Sequence, residues 1–411
     1  NSNWGDDTVT VGSKSSVANA TVNASDEADT IWVRATNNVF VNGDQGNVWD
    51  GDESIYADAN NVTVNGFGGN DTITVDTGLT ATIDSGAGND RVTLNDQDQA
   101  STVNLGSGSD VFDYNGGSDD DLLTVTGGDG DDTISVDTWY HPGNVLSVSG
   151  GNGADSIDAI YLWDATINGD GGNDTINATH GSDNVGVNGG DGNDVIVATH
   201  EDSDAAFTVD GGTGVDNIRI GAEHNSQGTT TVSGGYDNDQ IELWVATAGG
   251  KDTVVFGNVT YDGLQNENFN SQGTDAITGF NWEPTGPTAG AEDVLNLSAF
   301  NGGTTAVVIS LDGTAAMAGG GSVDVVSTTN DAYILTNDNW ATSDYTMANN
   351  QRGVLIIGKD TDAQDGFDLF DVYYVQDVDA GAGVAVKVNL VGTIDSATNI
   401  GLATIDTANF L

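Results

Sequence analysis

Nine aspartates, Asp71, Asp90, Asp110, Asp132, Asp155, Asp174, Asp194, Asp216 and Asp239, each close a short glycine-rich stretch and stand just before a short apolar segment. The fullest copy is GGDGDDTIS at 127–135, and the same nine-residue pattern recurs at 66–74, 85–93, 105–113, 150–158, 169–177, 189–197, 211–219 and 234–242. Glycine lets a tight turn reach positive φ and present its carbonyls; the sixth-position Asp adds a carboxylate. Those oxygens suit a hard cation such as Ca²⁺, which takes about six to eight of them at ~2.3–2.6 Å. One turn supplies too few, so an ion would share two turns stacked ~4.8 Å apart. The candidate ligating positions are Gly66, Gly68 and Asp71; Gly86, Gly88 and Asp90; Gly106, Gly108 and Asp110; Gly128, Gly130 and Asp132; and Gly151, Gly153 and Asp155. They continue as Asp170, Gly172 and Asp174; Gly190, Gly192 and Asp194; Gly212, Gly214 and Asp216; and Gly235, Asp237 and Asp239.

The spacing of these aspartates shows what positions them. It runs 19, 20, 22, 23 and then repeats 19, 20, 22, 23, so a block of 84 residues and four coils is duplicated. A period near 20 is the mark of a solenoid. Between motifs the sequence alternates Val, Ile or Leu with Thr, Asn or Asp, which is the period of a half-buried strand. One coil is two short strands and two turns, and only one turn carries Gly and Asp in register. The predicted fold class is all-β: a parallel β-solenoid, or β-roll, of about 20-residue coils over 1–255, followed by a β-rich C-terminal capping domain over 256–411.

Residues 1–60 read as degenerate coils. SNWGDDTVT keeps Asp7, ASDEADTIW keeps Asp29, and GDQGNVWDG at 43–51 puts Val48 where the acid belongs. TAGGKDTVV at 247–255 reads as a last, offset copy with Asp252. Beyond it lie a loop with Pro284 and Pro287 and the apolar runs Ala306–Leu311, Val354–Ile357, Val372–Val375 and Val384–Val391, read as longer strands. DTDAQDGFD at 360–368 is a second calcium candidate, through Asp360, Asp362 and Asp365; it resembles an EF-hand loop but lacks the late Glu.

Charge narrows the function. Of 63 acidic residues 55 are Asp, against 8 Lys and Arg, for a formal net charge of −55. No basic patch can neutralise phosphates, which excludes nucleic acid and anionic membrane surfaces as partners. Eight gaps between nine turns leave room for roughly eight ions, which neutralise 16 of those 55 charges. Without cations, stacked carboxylates repel. If the turns were only tight turns with each Asp capping its own backbone, the Gly would be explained but not nine Asp in register.

No cysteine is present, and no apolar run reaches the ~18 residues of a membrane helix. The chain opens at Asn1 without Met and reads as a fragment or mature portion. HExxH and GxSxG are absent, so no catalytic residue is assigned and the chain reads as non-enzymatic. His180 and His200, each six residues after its motif Asp, could stack at the variable edge and hold a transition metal, or be two exposed turn residues; His141 and His224 sit on similar turns.

GGDGDDTIS, GGNGADSID, GGDGNDVIV and GGTGVDNIR match the nonapeptide GGxGxDxUx, and the chain resembles the RTX (hemolysin-type) calcium-binding, type I secreted bacterial proteins. The resemblance is strong over about 60–255 and looser before it. It implies a parallel β-roll with Ca²⁺ between turns, and export to the cell surface or medium. It also implies a chain that stays unfolded at low cytosolic calcium. The end, ATIDTANFL, resembles an uncleaved type I secretion signal. RTX rolls place nonapeptides back to back; the longer coils here predict a single calcium row, as in rolls similar to those of surface-layer proteins and adhesins. The expected function is a secreted, calcium-dependent structural protein that self-associates into a cell-surface layer or extracellular lattice. The alternatives are a C-terminal secretion and folding module of a larger exoenzyme, toxin or adhesin, or an ice- or carbohydrate-binding adhesin domain. The uneven 19-to-23 spacing argues against the flat Thr ladder that ice binding needs.

Overall fold

The strand Thr133–Asp137 reads TISVD, and its side chains alternate outward and inward, with Ile134 and Val136 buried. The alternation repeats in strand after strand because each coil has an apolar inner row and a polar outer row. The computed structural model describes residues 5–12, 17–24, 27–44, 51–95, 100–115, 122–138, 143–181, 183–200, 205–222, 228–244, 252–255, 275–280, 294–296, 307–310, 323–324, 332–337, 345–346, 352–359, 367–377 and 386–400. Among them there is no helix: the protein is an all-β parallel solenoid, with coils of roughly 22 residues. The chain divides into two compact units, 1–205 and 206–411.

In the first unit each coil gives one strand to each of two parallel faces. Face one begins immediately after the motif acid: Thr8–Val11 pairs with Thr30–Arg34, which pairs with the first half of Ser54–Asn65. It continues through Thr72–Ala87, Arg91–Asn95, Val111–Asn115, Thr133–Asp137, Ser156–Ile160, Thr175–Gly181 and Val195–His200. Face two runs through Asn19–Asn23, Asn38–Asn42, the second halves of Ser54–Asn65 and Thr72–Ala87, Ser101–Ser107, Leu122–Asp129, Val145–Asn152, Asp164–Gly171 and Asn184–Asp191. In the coils that follow Glu53 and Asp71 one continuous strand passes from face to face.

The core is two apolar columns. Ile73, Val92, Phe112, Ile134, Ile157 and Ile176 stack on face one, and Val64, Ile83, Val103, Val125, Val148 and Ile167 on face two, all at most 2 % exposed. Each such side chain is worth about 1.5–3 kcal/mol when fully buried. Outside, Asn23, Asn42 and Asn65 form an amide ladder with 2.8 Å hydrogen bonds.

The varying coil length is taken up in the turns and not in the strands. Thr63, Thr82, Thr102 and Thr124 are direct register partners on the outer side of face two, followed by Ser147 and Thr166. The expectation that uneven spacing argues against a Thr ladder is corrected as to register: parallel pairing keeps these residues opposite one another from Thr63 to Thr166 although the loops between differ in length.

In the second unit Ala206–Thr213, Thr229–Tyr236, Thr253–Val255 and Val294–Asn296 form one parallel series, and Asn217–Ala222, Gln240–Trp244 and Asp275–Phe280 another. Val307–Ser310, Ala332–Asn337 and Arg352–Lys359 pair in parallel, whereas Arg352–Lys359, Phe367–Asp377 and Val386–Ile400 form an antiparallel meander whose last strand lies beside Asp275–Phe280. The loop of Pro284 and Pro287, the candidate loop of Asp360, Asp362 and Asp365, His141, His224 and the terminal ATIDTANFL lie outside the described residues.

Candidate metal centre

Each motif Asp ends its turn and turns its side chain into the solenoid. Asp132 is 1 % exposed. Its Oδ1 accepts the backbone N–H of Asp110 at 2.8 Å, and its own N–H donates to Asp155 Oδ1 at 2.8 Å. The same bond links Asp71 to Asp90, Asp90 to Asp110, Asp155 to Asp174 and Asp174 to Asp194 at 2.7–2.8 Å. In the second unit it links Asp216 to Asp239 and Asp239 to Asp275. Within each unit the carboxylates thus form a ladder up one edge, each capping the coil before it and not its own backbone.

The second oxygen is what this arrangement leaves over. Oδ2 of Asp71, Asp90, Asp110, Asp132, Asp155, Asp174 and Asp239 is buried and has no hydrogen-bond partner. A buried anionic oxygen without a donor is costly. Burial accordingly pushes Asp110, Asp132, Asp155, Asp174 and Asp239 up to about 6, and Asp71 to about 7, although the capping N–H pulls each down. Either a proton or a cation must complete each rung.

Where the motif opens with glycine, that residue makes room for this oxygen; Ser85 and Leu105 hold the position in two coils, and Ser85 Oγ donates to Leu105 O at 2.7 Å. A Cβ on Gly127 would stand 2.5 Å from Asp132 Oδ2 and closer still to the carbonyl oxygen of Gly150 on the next coil. Gly150 and Gly169 face the same pair: their own Asp Oδ2 and a carbonyl of the next coil, Gly169 O and Gly189 O. Two acceptors thus converge beside a residue that has no side chain. The second and fourth positions serve the stacking. Gly128 and Gly130 hold φ of 120° and 127°, and the Gly130 N–H donates to Asn152 O at 2.7 Å. Gly86, Gly88, Gly106, Gly108, Gly151, Gly153, Gly172, Gly190, Gly192, Gly212, Gly214 and Gly235 share that positive φ.

These positions correct several expectations. In the coil beginning at Gly66 the equivalents of Gly128 and Gly130 are Phe67 (φ 80°) and Gly69 (φ 103°), and not Gly66 and Gly68, because Gly68 stands at the variable third position. Asp170 and Asp237 take the left-handed positions themselves, at φ 71° and 78°. Asp252 is not on this edge. It precedes Thr253–Val255 of the other series and accepts the Thr230 N–H at 3.0 Å. The rung after Asp239 is Asp275, whose pKa burial raises to about 8; the 36-residue gap hid it. The acid of the 43–51 stretch is Glu53, since Ser54 pairs with Thr72; Val48 is not its counterpart. The first-position glycines were visible as a repeated letter, but their purpose was not.

His180 and His200 are not ladder partners. A register shift puts Gly181 opposite His200. His200 is buried, and burial lowers its pKa to about 4, so its ring is neutral and not an exposed turn residue. His180, at φ 57°, rests against the Tyr161 ring.

Among the described residues no group of three or more His, Cys, Asp or Glu side chains is placed to hold a metal ion. A cation on the ladder would therefore be held by an Asp oxygen and backbone carbonyls, an all-oxygen set that fits Ca²⁺ and not a soft metal. Among the described residues no helix is long and apolar enough to cross a membrane. Comparison with protein-family models, with curated proteins and with solved structures returns no match.

Proposed function

We propose that this chain is a secreted, calcium-dependent structural solenoid of the RTX type that builds a cell-surface layer or extracellular lattice. The observation that carries the reading is the column of buried Asp Oδ2 atoms without donors, those of Asp71, Asp132, Asp155 and Asp174 standing with a carbonyl of the next coil beside the first motif glycine. Calcium would supply the charge that this column lacks. The Asp132 and Asp155 rungs would each hold an ion through Oδ2, the glycine turns would admit it, and the N–H caps would keep the carboxylates aimed. Coils that repel one another in calcium-free solution would then cohere. That couples folding to the calcium-rich outside of a cell, and fits a chain exported unfolded. Acids left over on the surface would bridge copies through further calcium.

Far-UV circular dichroism and sedimentation with calcium and with a chelator test this. The expected outcome is β-structure and large assemblies in millimolar calcium, and loss of both on chelation. A fold equally ordered without calcium would end the calcium reading; a calcium-loaded chain that stays monomeric at high concentration would end the lattice. A catalytic domain encoded upstream would favour the alternative, an RTX secretion and folding module of a larger exoenzyme or toxin.

One observation favours a second reading, an ice- or carbohydrate-binding adhesin domain: the in-register hydroxyl column Thr63, Thr82, Thr102, Thr124. Thermal hysteresis lost on Thr102→Lys would support it; its absence in the wild type would dismiss ice.

A further inference from the structure

The rung at Glu53 departs from the others. Its turn carries a longer acid, and three carboxyl groups gather there: Asp44, Glu53 and Asp71 are each 1 % exposed. Asp71 Oδ1 is occupied, accepting the Glu53 N–H at 2.8 Å, while Asp71 Oδ2 has no donor. Asp44 Oδ2 accepts the Gly51 N–H at 3.0 Å. Glu53 is left with both carboxylate oxygens buried and without a hydrogen-bond partner. The Asp29 N–H faces the Glu53 carboxyl and lowers its pKa, yet no bond of normal geometry forms to either oxygen.

Backbone oxygen is also at hand. The space beside Gly43 is bounded by Glu53 Oε2 and the Gly66 carbonyl, which a Cβ on Gly43 would meet at 3.3 and 3.0 Å. Arg34, the nearest cationic side chain in sequence, is engaged elsewhere, paired with Asp58 at 2.7 Å. Two successive ordinary rungs, such as Asp132 and Asp155, present two unpartnered oxygens between them, and this pair presents three, two from Glu53 and one from Asp71, with Asp44 as a third negative charge beside them. Affinity for Ca²⁺ rises with the number of ligand charges.

We propose that Glu53 and Asp71, with the Gly66 carbonyl and with Asp44 adding negative charge, form a distinct Ca²⁺ site, tighter than the glycine–aspartate rungs and filled before them. The site lies in the first unit, where the full nonapeptides begin. Its ion would order the first regular coil and give the following rungs a template to stack on, since a stack needs a nucleus before it propagates. The competing arrangement is a proton shared between Glu53 and Asp71. Burial and the two neighbouring acids do push Glu53 up to about 10. In that case Gln at 53 would replace the shared proton with an amide donor at no loss.

Calcium binding to the full chain, titrated in competition with a chromophoric chelator, separates the two for wild type, Glu53→Gln and Glu53→Asp. Circular dichroism at saturating calcium reports folding of each sample. The expected wild-type isotherm has one tight ion above a weaker class. Glu53→Gln loses the tight ion, with affinity there reduced about tenfold or more, and the weaker class stays. Glu53→Asp, a volume-sparing variant that restores an ordinary rung, brings the tight ion down to the weaker class. A folded Glu53→Gln protein that keeps the tight ion overturns the proposal, as does full tight binding by Glu53→Asp should the Gln variant not fold. Either result leaves the ladder reading standing, whereas a wild type that binds no calcium removes both.

Discussion

Gly127→Ala isolates the purpose of the first motif glycine. Gly127 does not adopt positive φ, so the substitution brings no backbone strain and the test is one of space. The new methyl would stand 2.5 Å from Asp132 Oδ2 and nearer to the Gly150 carbonyl oxygen, where ordinary contact needs 3.4 Å or more. The carbonyl belongs to the next coil and cannot rotate away without parting the two. Overpacking of this kind costs about 1–3 kcal/mol. If Asp132 swings aside, its Oδ1 also releases the Asp110 N–H, a charge-assisted bond worth about 1.5–3 kcal/mol. Taking the two as partly alternative responses, the loss is about 2–4 kcal/mol. A repeat array need not unfold in one step, so the readout is local: hydrogen exchange of the Asp110 and Asp132 amides in calcium, expected to accelerate about 30-fold or more. Gly186→Ala is the control, since its Cβ would meet only Ala165 O at 3.9 Å and a strand Gly→Ala change gains about 0.5–1 kcal/mol. Equal exchange in Gly127→Ala and wild type would refute the claim that the missing Cβ keeps the rung together.

In calcium-free solution stability should fall with rising pH. The rung acids titrate near 6 and 7 in the fold and near ~3.9 when unfolded, so their contribution is complete below about pH 4 and is lost as pH climbs through 6 to 7. Melting at pH 5 and pH 8 checks this; a calcium-free protein as stable at pH 8 as at pH 5 contradicts it. Calcium should reverse the slope, because it binds the deprotonated rung. On the opposite edge, Ser101→Ala should lower stability by about 1–3 kcal/mol, because Ser101 Oγ is the acceptor for the buried Ala81 N–H at 2.8 Å; a denaturant midpoint unchanged from wild type would show that water replaces it.

The solenoid was legible in the sequence because its physics is local and periodic. Asp at a fixed distance after Gly, and a two-residue apolar alternation, recur often enough to specify a coil without any tertiary contact. What repetition could not specify was the fate of residues where it fails. The rung after Asp239 lies 36 residues on, at Asp275, and Glu53 rather than Val48 closes its coil, because parallel hydrogen bonding selects partners by register and not by counting. Asp252 carries a motif-like neighbourhood yet stands on the other series for the same reason. The two oxygens of each Asp were equivalent on paper. Only stacking made one a cap for the neighbouring N–H and left the other buried without a donor, since that division depends on a coil 18 to 23 residues away.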